Sequence, residues 1–277
     1  MEPIVAIQGY EGSFHHEAAQ AYFRRPVELL PCASFRDVVS AAENKPRAVT
    51  GLMAIENSIA GSILPNYHLL QKSRLTITGE VYLHIRQHLL VNKAVRIRDI
   101  REVHSHTMAL RQCEAYFEKH PRWKLVETED TALSARHVQQ YNSLHIAAVA
   151  GRAASERYGL KILARNIHTM KKNYTRFLVL EKEEKVEPPA YADKASVQFQ
   201  TDHTRGSLAR VLTRVAEGGI NLSKLQSVPI PGSDFRYSFH ADMEFDSVEQ
   251  FEEVMDSIRP ITDHTRIYGL YKKGAWK

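Results

Sequence analysis

Within Asn173-Tyr174-Thr175-Arg176-Phe177 an amide, a hydroxyl and a guanidinium stand almost side by side. Lys171 and Lys172 precede them, and the apolar run Phe177-Leu178-Val179-Leu180 follows. A guanidinium is a rigid fork of donors that suits a carboxylate, while Asn and Thr donate neutral hydrogen bonds. Together they would suit a ligand that carries a carboxylate. Taken alone, the pentapeptide also reads as a solvated loop entering a strand, so its weight depends on what surrounds it.

Five other stretches carry small or hydroxyl residues where an apolar run gives way to a helix pattern. Ile4–Gln8 reads as a short buried strand, followed by Gly9-Tyr10-Glu11-Gly12-Ser13-Phe14, with Ser13 placed as a helix cap. Gly51-Leu52-Met53-Ala54-Ile55 stops at Glu56-Asn57-Ser58, with Ala60-Gly61-Ser62 beyond. The third and fourth are Val103 to Leu110, containing Ser105, and the helix start Thr128-Glu129-Asp130-Thr131. The fifth is His145 to Gly151, leading into a helix over Arg152–Tyr158 that Gly159 should stop. Alternating strands and helices predict α/β units with largely parallel pairing. In open sheets of that kind, ligands sit beyond the carboxyl ends of the strands. Converging helix N-termini would suit a ligand with more than one carboxylate, although each junction alone is equally a good helix cap.

Other candidate chemistry is thinner. His84 and His88, spaced to share a helix face, and His104 with His106 on a strand face find no third ligand at metal spacing. They are expected to be surface or packing histidines, with no metal site. Cys113 lies in a helix pattern and reads as core.

A chain of 277 residues predicts two or three structural units. Its 43% hydrophobic and 25% charged residues are those of a globular protein. Two distant cysteines, Cys32 and Cys113, point to reduced thiols. There is no signal-peptide pattern and no apolar run near the ~20 residues that span a bilayer, so a cytoplasmic protein without membrane contact is expected. The net charge of +5 is scattered rather than striped, which disfavours nucleic acid. Residues 183–194 carry charge and a Pro-Pro pair and read as a linker. Beyond it, strand and helix patterns in the order βαββαβ predict a ferredoxin-like unit over 195–277. The exposed edge of such a sheet invites pairing with a second copy.

Taken together, the motifs Gly9-Tyr10-Glu11-Gly12-Ser13-Phe14-His15-His16, Ile55-Glu56-Asn57-Ser58-Ile59-Ala60-Gly61, Ser105-His106-Thr107-Met108-Ala109-Leu110 and Asn173-Tyr174-Thr175-Arg176-Phe177 resemble those of the prephenate dehydratases. The resemblance covers essentially the whole chain, and the C-terminal unit is similar to an ACT regulatory domain. It implies an α/β catalytic domain over 1–182 with two lobes like a type II periplasmic binding protein, a cleft between them, and a ferredoxin-like βαββαβ ACT domain over 195–277. The implied reaction is the conversion of prephenate to phenylpyruvate, water and carbon dioxide in phenylalanine synthesis, with no cofactor. Thr175 is implied as the residue closest to the chemistry. Ser13, Glu56, Asn57, Ser58, Ser105, Asn173, Arg176 and Phe177 are implied around the substrate. Glu56 is open to two readings, a general acid raised by burial or a residue that orients Asn57. A threonine hydroxyl is a poor acid at neutral pH, so Thr175 is expected to donate a hydrogen bond to the departing hydroxide, with Arg176 and helix N-termini on the carboxylates.

The match loosens at the effector motifs, usually Gly-Ala-Leu-Val and Glu-Ser-Arg-Pro. Here they read Gly206-Ser207-Leu208-Ala209 and Gln226-Ser227-Val228-Pro229. Gly206, Leu208, Gln226 and Ser227 are the expected effector contacts. Gln226 lacks the carboxylate that would meet an ammonium, so phenylalanine feedback is expected to be weakened, altered or absent, while a homodimer or homotetramer through the ACT and catalytic domains persists. Two rivals are an arogenate dehydratase on the same scaffold and a non-catalytic sensor of amino acids.

Overall fold

A computed structural model describes residues 2–44, 48–182, 189, 191–230, 232–233 and 236–275. Most of the linker expected at 183–194 therefore lies outside the described residues. The first lobe contains β1 (Ile4–Gln8), α1 (Phe14–Phe23), β2 (Glu28–Cys32), α2 (Phe35–Asn44), β3 (Val49–Asn57), β4 (Gly61–Ser62), α3 (Leu64–Lys72) and β5 (Leu75–His84). The second contains β6 (His88–Val91), β7 (Glu102–His106), α4 (Thr107–Gln112), α5 (Glu114–Phe117), β8 (Lys124–Thr128), α6 (Thr131–Gln140), β9 (Ile146–Ala150), α7 (Arg152–Tyr158) and β10 (Lys161–Ala164). The chain then returns to the first lobe as β11 (Tyr174–Lys182). The C-terminal unit runs β12 (Lys194–Gln200), α8 (Ser207–Glu217), β13 (Asn221–Pro229), β14 (Tyr237–Glu244), α9 (Val248–Ile258) and β15 (His264–Tyr271).

The first sheet has the order β2-β1-β3-β11-β5, and the second β10-β6-β9-β7-β8. The expectation of largely parallel pairing holds only for β1, β2 and β3 and for β7, β8 and β9. β11 runs antiparallel to both its neighbours, and so does β6. The reason is the crossing between lobes: β5 passes into β6 and β10 into β11 with no helix to turn the chain back, so those strands enter their sheets reversed. Each crossover carries a histidine that grips the other. The His88 Nδ1 accepts from the Asn166 amide at 3.0 Å, and the His168 Nδ1 from the Gln87 amide at 3.3 Å. Thus His84 and His88 lie at strand ends, not on a helix face.

Local signals explain the helix boundaries. Ser13 caps α1, accepting from the His16 amide, and Asp130 caps α6. Gly159 stops α7 in the left-handed conformation at φ 63°, where a Cβ would be strained. Cys113 is buried in the core of the second lobe, as its pattern predicts.

The C-terminal sheet has the order β13-β14-β12-β15, with α8 and α9 over one face. Its other face completes the core of the first lobe: Val228, Tyr268 and Tyr271 pack with Met53, Ile55, Ile77, Leu178 and Leu180. Gly269 permits that approach, because a Cβ there would lie 2.0 Å from the Ile77 carbonyl oxygen. Among the described residues no helix is long and apolar enough to cross a membrane, and no group of metal-ligating side chains gathers.

Candidate active site

At the carboxyl end of β3 and the start of β11, Asn57 and Thr175 are direct cross-strand partners. The Asn57 Oδ1 accepts from the Ile59 and Ala60 amides at 3.0 and 2.9 Å. Its Nδ2 donates to the Thr175 Oγ1 at 3.0 Å and to the Asn173 Oδ1 at 2.8 Å. The Thr175 oxygen is therefore an acceptor within the protein, and its own proton points elsewhere. Asn57 and Thr175 keep only 9% and 8% exposure and Asn173 none. Water competes little for these bonds, so they are strong.

Ser13 sits at the end of β1, separated from β11 by β3 alone. Two strand spacings put the α1 N-terminus about 10 Å from the Thr175 strand. Ser58 closes the strand mouth: its Oγ accepts from the Tyr174 amide at 2.9 Å, and its amide donates to the Tyr174 carbonyl at 2.8 Å. Ser105 is wholly buried and donates to the Val149 carbonyl at 2.6 Å, which ties β7 to β9 rather than presenting a hydroxyl to a ligand.

Three expected site residues turn away. β11 begins at Tyr174, so alternation sends Arg176 to the face opposite Thr175. Its Nε donates to Glu80 at 2.7 Å, its Nη1 to Asp242 and its Nη2 to the Tyr271 hydroxyl at 3.1 Å. That guanidinium is bound inside the protein, with each of its three nitrogens donating to an internal partner. Glu56 follows a bulge: Ala54 pairs with Phe177 and Glu56 with Arg176, leaving Ile55 as the extra residue. The bulge turns Glu56 towards the C-terminal unit, where its carboxylate pairs with Lys224, which also donates to Ser62 at 2.7 Å. Phe177 lies in the first lobe's core with Val5, Ile7 and Ala18, its ring edge-on to His15 at 5.0 Å.

The N-termini of α6 and α7 in the second lobe are already occupied. Glu17 reaches from α1 to accept from the Ala153 amide at the start of α7, and Asp130 accepts from Leu133 in α6. Burial pushes both carboxyls above their usual range, against the pull of those amides. Tyr10 donates to Glu129, Arg157 pairs with Glu11, and the Tyr158 hydroxyl donates to the Glu11 carbonyl. The Gly9–Ser13 turn is thereby held against the second lobe, and the two lobes are closed on each other. No local pattern marks Glu11, Glu17 or Gln112 as contacts between the lobes. The Gln112 Oε1 accepts from the Asn173 Nδ2 at 3.0 Å across the lobes. A cavity of about 440 Å³ lies beside it, lined by Ile59, Met108, Arg111, Thr169 and Met170.

Around the effector motifs, Gly206 takes φ 78° ahead of α8. Ser207 and Leu208 line a cavity of about 300 Å³ with Arg236, Tyr237 and Phe239. Ser227 is the cross-strand partner of Phe239, while the Gln226 amide donates to the Ser227 carbonyl at 2.8 Å.

Two mixed α/β lobes, with a hydroxyl and two amides at the strand ends of the first, joined to a βαββαβ unit, define a two-lobed α/β protein with an appended ferredoxin-like module. The chain belongs to the prephenate dehydratase family, whose model, described as prephenate dehydratase, matches residues 5–185. It is 31% identical over 271 residues to a bifunctional chorismate mutase/prephenate dehydratase of Enterobacter agglomerans, covering 96% of this chain and 70% of that one. To arogenate dehydratase 2 of Petunia hybrida it is 35% identical over 286 residues, covering 96% and 71%. Among solved structures, GqqA, described as a novel type of quorum quenching acylase, superposes with a TM-score of 0.88 at 28% identity, covering 98% of each chain. A prephenate dehydratase from Arthrobacter aurescens in complex with L-Phe gives 0.84 at 24% identity, covering 97% and 90%, a likeness of fold.

Proposed function

We propose that this chain converts prephenate to phenylpyruvate, water and carbon dioxide, with Thr175 as the hydrogen-bond donor to the departing hydroxide. The observation that carries the reading is the polarity of the Thr175 hydroxyl. It accepts from Asn57, and among the described residues no group accepts its proton, which leaves that proton for the leaving group. Loss of the ring carboxylate and hydroxyl makes the product aromatic, and the protein has mainly to orient the substrate and stabilise the leaving oxygen. With Arg176 engaged elsewhere, the α1 N-terminus with Ser13 takes the carboxylate role in this account. Glu56 and Phe177 are left out of the site, and Ser58 and Ser105 shape it without touching substrate.

Residues 1–182 form the catalytic domain and 195–277 an ACT regulatory domain in this reading, joined across 183–194. Phenylalanine is the proposed effector, held near Gly206, Leu208, Gln226 and Ser227, and paired copies of the chain are the proposed assembly. The neutral Gln226 supports weakened inhibition, so micromolar cooperative inhibition by phenylalanine would contradict that part.

The GqqA likeness favours a second reading, an acylase. A threonine nucleophile needs a base to take its proton. The Thr175 hydroxyl has instead an amide N–H as its partner, which supports the dehydratase. Incubation with prephenate at neutral pH, followed through the enol absorbance of phenylpyruvate in alkali, tests the main reading. Parallel reactions with arogenate and with an acylase substrate separate the rivals. Faster turnover of either, with prephenate inert, would replace it.

A further inference from the structure

We propose that Gln112 is a positioning residue for the Thr175 hydroxyl, acting through Asn173 from the opposite lobe; the inference rests on the reading of Thr175 above. The amide chain has one consistent direction. Backbone N–H groups only donate, so the Asn57 atom facing Ile59 and Ala60 is its oxygen. Its nitrogen then faces Thr175 and Asn173, and the Asn173 atom that meets it is an oxygen. The Asn173 nitrogen is left facing Gln112, whose oxygen accepts at 3.0 Å.

Asn173 is wholly buried, so its N–H has no water to turn to if that acceptor is lost. Turning the Asn173 amide over would set its nitrogen against the Asn57 nitrogen, donor against donor. Gln112 grips the same segment a second time, because its backbone carbonyl accepts from the Thr169 amide at 2.7 Å. Residues 169–173 close the return crossover, and Gln112 holds both ends of that stretch from α4 in the second lobe. Asn173 is thereby held against Asn57, the donor to Thr175, from the opposite lobe.

The test compares Gln112→Leu, which removes the acceptor, with Gln112→Glu, which keeps one, in the full chain with prephenate. Gln112→Ser serves in place of the Leu variant if that does not fold. Loss of alignment is expected to lower kcat about tenfold in the Leu or Ser variant, with KM little changed, and the Glu variant should recover most of it. A Leu variant that keeps half the wild-type kcat overturns the inference. So does a Glu variant as slow as the Leu variant, since then volume rather than the acceptor matters. Thr175→Val is measured alongside. If the wild type does not turn over prephenate, or the Val variant matches it, the reading of Thr175 has failed and takes this one with it.

Discussion

Replacing Arg176 with methionine should damage stability far more than substrate binding. The guanidinium joins Glu80 in β5 to Asp242 and Tyr271 in the C-terminal unit. Lys194 in β12 donates to both Glu80 oxygens at 3.0 and 3.1 Å, and Ser196 donates to Asp242 at 2.5 Å. The side chains of Arg176, Glu80, Asp242 and Lys194 are 5%, 0%, 8% and 1% exposed. Two cations thus balance two carboxylates in a dry interface. Burial pushes the Asp242 carboxyl up, but Arg176, Lys194 and Ser196 together more than offset it and hold the group below its usual range. Arg176→Met leaves one uncompensated negative charge there, which costs about 3–5 kcal/mol when a buried pair is broken from one side. For a chain of this size that is a fall in Tm of roughly 6–20 °C. Asp242→Asn on top of it restores neutrality, so the double variant should be more stable than the sum of the singles predicts. Urea and thermal unfolding of the four proteins make the cycle. A loss under about 1 kcal/mol for Arg176→Met, or strict additivity, would refute the reasoning. A large rise in KM in the folded variant would return Arg176 to the substrate.

Two further outcomes follow from the same geometry. His15, His88 and His240 are each pushed down to about 4 by burial. They stay neutral in the fold while the unfolded chain protonates near pH 6.5, so stability is complete above 6.5 and is lost as pH falls towards 4. Each contributes at most about 1.4 kcal/mol per pH unit, and a urea midpoint that stays flat from pH 6.5 to 5 would count against this. Glu56→Gln should reduce kcat less than about tenfold, because the carboxylate faces Lys224 and not Thr175; a loss on the order of 10²-fold or more, the scale of acid catalysis, would restore it as the acid.

Much of this was legible in the sequence where a local signal decides it. Ser13, Asp130 and Gly159 mark helix ends through hydroxyl, carboxylate and glycine caps, and the βαββαβ order after residue 194 follows from periodicity. Asn57, Asn173 and Thr175 were also found together. Arg176 shares a motif with Thr175, and residue types do not announce where the loop gives way to the strand. Starting the strand at Tyr174 separates Thr175 from Arg176 by the two-residue period. Glu56 was misplaced by the bulge at Ile55, which no residue type announces. Lys194, at the end of the expected linker, is the first residue of β12 and buried against Glu80, 114 residues away. A partnership of that separation has no local sign. The network of Arg176, Glu80, Asp242 and Tyr271 was hidden for the same reason.

The most direct measurement is kcat for Thr175→Val and Thr175→Ser with prephenate, at a temperature where both are folded. Valine keeps the shape and removes the hydroxyl, while serine keeps the hydroxyl. The account predicts that the Val variant loses on the order of 10²–10³ in kcat, the value of one well-placed donor, with KM little changed, and that the Ser variant stays within about tenfold of wild type. A folded Val variant with near-normal kcat would contradict it.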